Sequence, residues 1–143
     1  MGSGHVGPAP YAPDEIKGRR ITVVGAGRSG KAAASLAARA GGIVRLVEIR
    51  PDALSEAQAQ RLRAQGIELR IGSHAADDFA GADVVILSPG IGHHMIASFL
   101  PPGVDLPVIS ELELALGWVR EPIIAVTGTN GKTTTVSLID HIL

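Results

Sequence analysis

At 143 residues, 45% of them hydrophobic, the chain is of single-domain size and has enough apolar material to bury a core. A formal net charge of -1 excludes a long-range field that would gather nucleic acid or an anionic membrane, so any anion site has to be built locally. There is no cysteine for disulfides or thiolate metal sites and no apolar run of the ~18 residues a membrane span needs, so the expectation is a soluble, unexported, cytoplasmic protein.

The opening MGSGHVGPAPYAP carries no apolar periodicity, and residues 1–17 are expected to be a tail, with Met1–His5 a leftover of expression cloning. ITVVG (Ile21–Gly25) is a β-branched run that ends in glycine. From Ser29 to Ala40 the residues Ala33, Leu36, Ala37 and Ala40 recur on one helical face, and Gly41–Gly42 stops the helix. IVRLVE (Ile43–Glu48) predicts a second strand, and Pro51 is expected to open a helix that runs to about Gln65 and closes at Gly66. Further strands are expected at Ile67–Ile71, Asp83–Leu87, Pro107–Ser110 and Pro122–Thr127, with helical stretches at Met95–Leu100 and Ser110–Trp118. Apolar strands that alternate with helices imply crossover connections, hence a parallel α/β sheet covered by helices on both faces. Ligands of such sheets bind at the carboxyl ends of the strands, where the chain turns into loops.

Three of those loops have the residues for chemistry. GAGRSG places Gly25, Gly27 and Gly30 in GxGxxG spacing between strand and helix: one glycine for the tight turn, one for close approach of a pyrophosphate, one for helix-to-strand packing. Glu48 follows Gly25 by 23 positions at the end of the second strand, where a carboxylate favours a hydroxyl or N–H donor over a phosphate. Arg50 either pairs with a diphosphate or lies in solvent. Ser88-Pro89-Gly90-Ile91 puts a hydroxyl and amide donors on the same edge, and the residues serve a plain turn equally well.

A fourth loop stands apart near the end. VTGTNGKTTT supplies glycines, Lys132 and threonine hydroxyls between an apolar strand and a helix, the parts of a phosphate loop: backbone N–H groups hold oxygens, the lysine neutralises outer phosphates, and a threonine hydroxyl ligates magnesium. It lacks the general G-x-x-x-x-G-K-[ST] spacing, because Val126 stands five residues before Gly131. Other polar residues invite plainer readings: His93 and His94 solvated, Asp77 and Asp78 at a turn or helix start, Glu111 and Glu113 unpaired with one another, Trp118 packed at a domain edge.

TGTNGKTTT resembles the ATP loop of the Mur ligase family, the ATP-dependent amino-acid ligases of peptidoglycan synthesis, and of the related folylpolyglutamate synthases. With GAGRSG, VEIR, SPGI and ISELELA ahead of it, the resemblance runs from about Gly18 to the last residue, and SPGI points to the D-glutamate-adding branch. The pattern differs at Arg28, where small or apolar residues are usual, and at Ile49, often a hydroxyl residue. The resemblance implies a Rossmann-like domain, residues 18–120, that holds the UDP of a muramoyl substrate instead of NAD. By position Gly25, Gly27, Arg28, Ser29 and Gly30 would face the diphosphate, Glu48, Ile49 and Arg50 the uridine, and Ser88, Pro89 and Gly90 the sugar-diphosphate region. Residues 121–143 would be the first strand, P-loop and helix of a truncated ATPase domain, its loop of Gly128, Thr129, Asn130, Gly131, Lys132, Thr133, Thr134 and Thr135 binding ATP. Lys132 would act on the β and γ phosphates and Thr133 on Mg2+.

The implied reaction activates the terminal carboxylate of UDP-N-acetylmuramoyl-L-alanine as an acyl phosphate, which the amine of D-glutamate attacks to form an amide. The chain is then expected to bind the UDP-sugar and to be inactive alone. The whole protein would be a monomer, whereas the apolar face of the last helix, Val136, Leu138, Ile139, Ile142 and Leu143, would fold back, pair with another copy or fray. Two rivals come from other classes. An NAD-binding oxidoreductase domain explains GAGRSG followed by Glu48 and leaves GTNGKTTT without a task; a non-catalytic nucleotide-binding module explains an incomplete catalytic set.

Overall fold

A computed structural model describes residues 11–142. Five strands, β1 (Arg20–Val24), β2 (Ile43–Glu48), β3 (Glu68–Ile71), β4 (Val84–Leu87) and β5 (Val108–Ser110), form one parallel sheet in the order β3-β2-β1-β4-β5. Val23 of β1 pairs with Leu46 of β2 on one side and with Ile86 of β4 on the other. Six α-helices accompany the strands: α1 (Pro13–Ile16), α2 (Arg28–Arg39), α3 (Glu56–Ala64), α4 (His93–Ile96), α5 (Glu111–Leu116) and α6 (Lys132–Ile142).

The two-residue period of a strand sorts its side chains to the two faces of the sheet. Ile21, Val23, Val44, Leu46, Val84 and Ile86 join Ala33, Ala34 and Ala37 of α2 and Leu114 of α5 in one core, while Val24, Val47 and Val85 pack with Phe79 and Ile96 in the other. Each of the Val, Leu, Ile and Phe side chains, once buried, stabilises the fold by roughly 1.5–3 kcal/mol. Thr22, on the second face, is buried and donates its hydroxyl hydrogen to the Asp78 carbonyl, so its polar atom costs little there.

Several boundaries differ from expectation, each for a local reason. Of the expected tail, residues 1–10 lie outside the described residues, but Ile16 is fully buried in the larger core and Tyr11 packs against it, so the folded unit starts before Gly18. Pro51 does not open α3. Ser55 does, because its side chain accepts from the Gln58 N–H while the Gln58 side chain accepts from the Ser55 N–H, closing a capping box. The expected Met95–Leu100 helix is α4, which ends at Ile96 and gives way to a turn before Pro101, where the residue preceding a proline is pushed out of the helical region. Pro122–Thr127 is not a strand: no neighbour hydrogen-bonds to it, and Ile123 and Ile124 are exposed. Four plainer readings hold. Asp78 ends a 3-10 turn and accepts from the Ala75 N–H, His93 and His94 are exposed, Glu113 caps α5 with Ser110, and Trp118 lies half-buried against the larger core.

Candidate functional site

At the carboxyl edge of the sheet, the loops after β1, β2, β3 and β4 enclose a cleft of about 590 Å³. Gly25, Gly27, Glu48, Ile49, Arg50, Ser88, Pro89 and Gly90, all expected at a site, line it together. They meet because β1 is flanked by β2 and β4, which puts the switch in strand order beside the glycine turn.

The glycine turn fits its neighbours closely. Gly25 has φ +96°, and a Cβ there would lie 2.7 Å from Ile91 Cδ1. A Cβ on Gly30 would run into the Gly25 carbonyl oxygen and Ser88 Oγ. Gly30 is therefore the packing glycine, buried within α2, while Gly27 faces open space and borders the cleft. Ser88, itself buried, donates its hydroxyl hydrogen to the Gly25 carbonyl at 3.1 Å, so the serine turn is bolted to the glycine turn.

Glu48 lies between the glycine turn and Arg50 and bonds to both. It is only 5% exposed, and Oε2 accepts from the Ala26 N–H at 2.9 Å while Oε1 accepts from the Arg50 N–H at 3.0 Å. The Arg50 guanidinium approaches both oxygens, at 3.3 and 3.4 Å. Burial alone would raise the Glu48 carboxyl; the backbone N–H groups of Arg50 and Ala26, together with the Arg50 guanidinium, outweigh it and hold the group below its ordinary range. With that carboxylate occupied, the open contacts at the end of β2 are Ile49, 57% exposed, and the Arg50 side chain, 65% exposed.

Helix ends sharpen the picture. Serine capping boxes close the amino ends of α3 and α5, whereas α2 starts at Gly27 with no side-chain cap. The first N–H groups of α2, those of Arg28, Ser29 and Gly30, thus keep their donors for a ligand or water, at the end of the helix where anions are favoured. Arg28 and Ser29 stand at this helix start and do not line the cleft.

Sequence reasoning missed one wall. Gly72, Ser73 and His74 come from the loop after β3, and Met95, Ile96 and Phe99 from the segment around α4. The signal was available: in a parallel sheet, every strand delivers its following loop to the same edge. The lysine loop is separate. Gly128 to Thr135 are exposed, none of them lines the cleft, and the Lys132 ammonium donates to the Gly128 carbonyl. Gly128 and Gly131 have φ of +144° and +75°, backbone conformations that favour glycine. Among the described residues no group of three or more His, Asp or Glu side chains comes together for a metal ion, and no helix is long and apolar enough to cross a membrane.

Residues 12–93 match the family described as alanine dehydrogenase/PNT, C-terminal domain. The match spans more than half of the chain, which belongs to this family, the class that its parallel sheet and glycine turn define. Its particular place is finer. The UDP-N-acetylmuramoylalanine–D-glutamate ligase of Salinibacter ruber is 46% identical over 132 residues, 91% of this chain and 28% of the relative. That of Oleidesulfovibrio alaskensis is 41% identical over 134 residues, 94% of this chain and 30% of the relative. A solved pseudomurein peptide ligase type C from Methanothermus fervidus superimposes with a TM-score of 0.57 at 27% identity, over 87% of this chain and 26% of its own. Through these relatives the chain is a member of the Mur ligase family, and it spans about 28% to 30% of the length of the two curated ligases.

Proposed function

We propose that the folded unit that ends near residue 120, the buried Ile16 included, is the UDP-substrate-binding domain, and residues 121–143 the start of the ATP-binding domain, of a cytoplasmic ligase that adds D-glutamate to UDP-N-acetylmuramoyl-L-alanine in peptidoglycan synthesis. The observation that carries this reading is the convergence of the glycine turn, Arg50 and the serine turn on one cleft beside an uncapped helix end, in a chain up to 46% identical to D-glutamate ligases. A diphosphate is received by the N–H groups of Arg28, Ser29 and Gly30, with Gly27 allowing close approach. Ile49 and Arg50 flank the uridine, Glu48 holds Arg50 in place, and Ser88–Gly90 border the sugar.

The lysine loop suits a triphosphate, because Gly128 and Gly131 hold the backbone in left-handed conformations ahead of the amino end of α6. ATP bound there would supply the phosphoryl group that activates the substrate carboxylate as an acyl phosphate, leaving ADP, and the amine of D-glutamate would then displace phosphate to form the amide. Lys132 would leave the Gly128 carbonyl for the outer phosphates, and Thr133 would offer a hydroxyl to Mg2+. On this reading the chain binds the UDP-sugar without ligating it. Val136, Leu138 and Ile142 on α6 are exposed, and they make this chain self-associate although the whole protein is a monomer. Sedimentation that is independent of concentration refutes that last step.

The family match keeps a nicotinamide dinucleotide in play as the alternative occupant. Against it stands Glu48, whose oxygens are taken by Ala26 and Arg50 and are not open to a ribose. Parallel calorimetric titrations with UDP-N-acetylmuramoyl-L-alanine, UDP, NADH and ATP decide between them. Binding of NADH with no binding of either uridine compound refutes the proposal.

A further inference from the structure

His74 is a polar group of the cleft that has no part in the proposed function. It lines the cleft on the loop after β3, and its ring lies edge-on to two phenylalanines, 6.5 Å from Phe79 and 6.0 Å from Phe99 between centroids. Those two rings stack on each other at 6.4 Å, and Phe79 is fully buried, so the imidazole is held in a defined orientation. Nδ1 is buried and has no hydrogen-bond partner among the described residues. An orphaned buried N–H is rarer and costlier than an orphaned lone pair. Of the two imidazole tautomers, the one with its proton on Nε2 is therefore the less costly, and Nε2 makes no hydrogen bond within the described residues and is not closed off as Nδ1 is.

Strand order gives that donor an address. Neighbouring parallel strands lie about 4.8 Å apart, so the β3 loop stands roughly 10 Å from the β1 loop, on the far side of β2. With the diphosphate at the glycine turn of β1 and the ribose at Ile49 and Arg50 after β2, the base reaches the β3 loop. Its leading edge is then the one farthest from the sugar, which carries O4 in uracil and an amino group in cytosine. The apolar wall of Ile91, Met95 and Phe99 suits the flat ring.

We propose that His74 reads the base: its Nε2–H donates to O4 of uracil and opposes the amino group of cytosine, which makes the cleft selective for uridine over cytidine nucleotides. The proposal rests on the uridine reading above and extends it to discrimination between pyrimidines. A donor set against a donor leaves both unpaired, a penalty that corresponds to at least about tenfold in affinity.

UDP and CDP are titrated into the 143-residue chain and into His74→Phe, which keeps the aromatic packing and removes both ring nitrogens. The expected result is a UDP preference of at least about tenfold that shrinks to within about threefold in the variant. A preference that survives in His74→Phe, or wild-type binding of both nucleotides with equal affinity, overturns the role of His74 and leaves the uridine reading standing. Wild-type binding of neither nucleotide defeats both. Should His74→Phe fail to fold, nitrogen NMR of the wild-type imidazole decides: a proton on Nε2 and a response of that nitrogen to UDP but not CDP supports the proposal, and a proton on Nδ1 or an equal response overturns it.

Discussion

Replacing Gly30 by alanine pits two well-measured effects against each other. Glycine within a helix costs about 0.5–1 kcal/mol relative to alanine, so at an open helical position the change would stabilise the fold. At Gly30 the added Cβ meets the Gly25 carbonyl oxygen and Ser88 Oγ, and neither has room to retreat. The Gly25 N–H donates to the Val47 carbonyl at 2.8 Å, the Ser88 N–H to the Val24 carbonyl at 3.0 Å, and the two turns are tied by the Ser88 hydroxyl. Overpacking of a rigid site costs about 1–3 kcal/mol, and loss of the Ser88–Gly25 hydrogen bond adds about 0.5–1.5. Less the helical gain, Gly30→Ala is expected to destabilise the chain by roughly 2 kcal/mol, which lowers a urea midpoint by about 1 M. The paired control is Gly27→Ala, whose Cβ meets nothing within 4 Å. It should change stability by less than about 1 kcal/mol yet weaken UDP, because its methyl group projects where the diphosphate approaches. Equilibrium urea unfolding followed by far-UV circular dichroism measures both variants. A Gly30→Ala midpoint equal to or above that of the wild type refutes the packing argument.

Other consequences are equally direct. The folded-state carboxyl of Glu48 lies below its ordinary 4.5, so its stabilising contribution is fully present above that pH and fades as pH falls through the lower folded value. Glu48→Gln should cost about 1–2 kcal/mol at pH 7, and the gap to wild type should close on acidification below 4.5; a gap that is constant with pH refutes the assignment. Ser110→Ala removes the side-chain acceptor for the Glu113 N–H and should lower stability by about 1 kcal/mol in thermal unfolding, whereas an unchanged midpoint means that the cap contributes nothing. Lys132→Ala should abolish ATP binding in calorimetry and leave UDP affinity unaltered; a parallel loss of both would mean that the two loops serve one site.

Much of this was legible in the residues because it depends on period and spacing alone. Alternation in ITVV and IVRLVE fixed which side chains enter which face, and the i, i+3, i+4 recurrence from Ala33 to Ala40 placed the helix that covers one of them. The glycine spacing between strand and helix likewise located the cleft. Pro122–Thr127 was misread because an apolar β-branched run satisfies the local pattern of a strand, while a strand also needs a hydrogen-bonded neighbour that no local pattern reports. Glu48 was legible as an acid at the end of the second strand. That its oxygens would be consumed by the Ala26 and Arg50 N–H groups was not, because the fold brings a backbone donor 22 positions away to it.

By itself, then, the sequence determined the class of fold, the edge on which the cleft lies and the family, since hydrophobic period and short motifs are properties of adjacent residues. Tertiary structure decided which side chains are free to act. It tied the Ser88 hydroxyl to the Gly25 carbonyl, turned Glu48 inward to hold Arg50, and brought His74 from the loop after β3 into the same cleft. Those outcomes depend on contacts between segments distant in the chain, and only the packing of parallel strands into one sheet sets those distances.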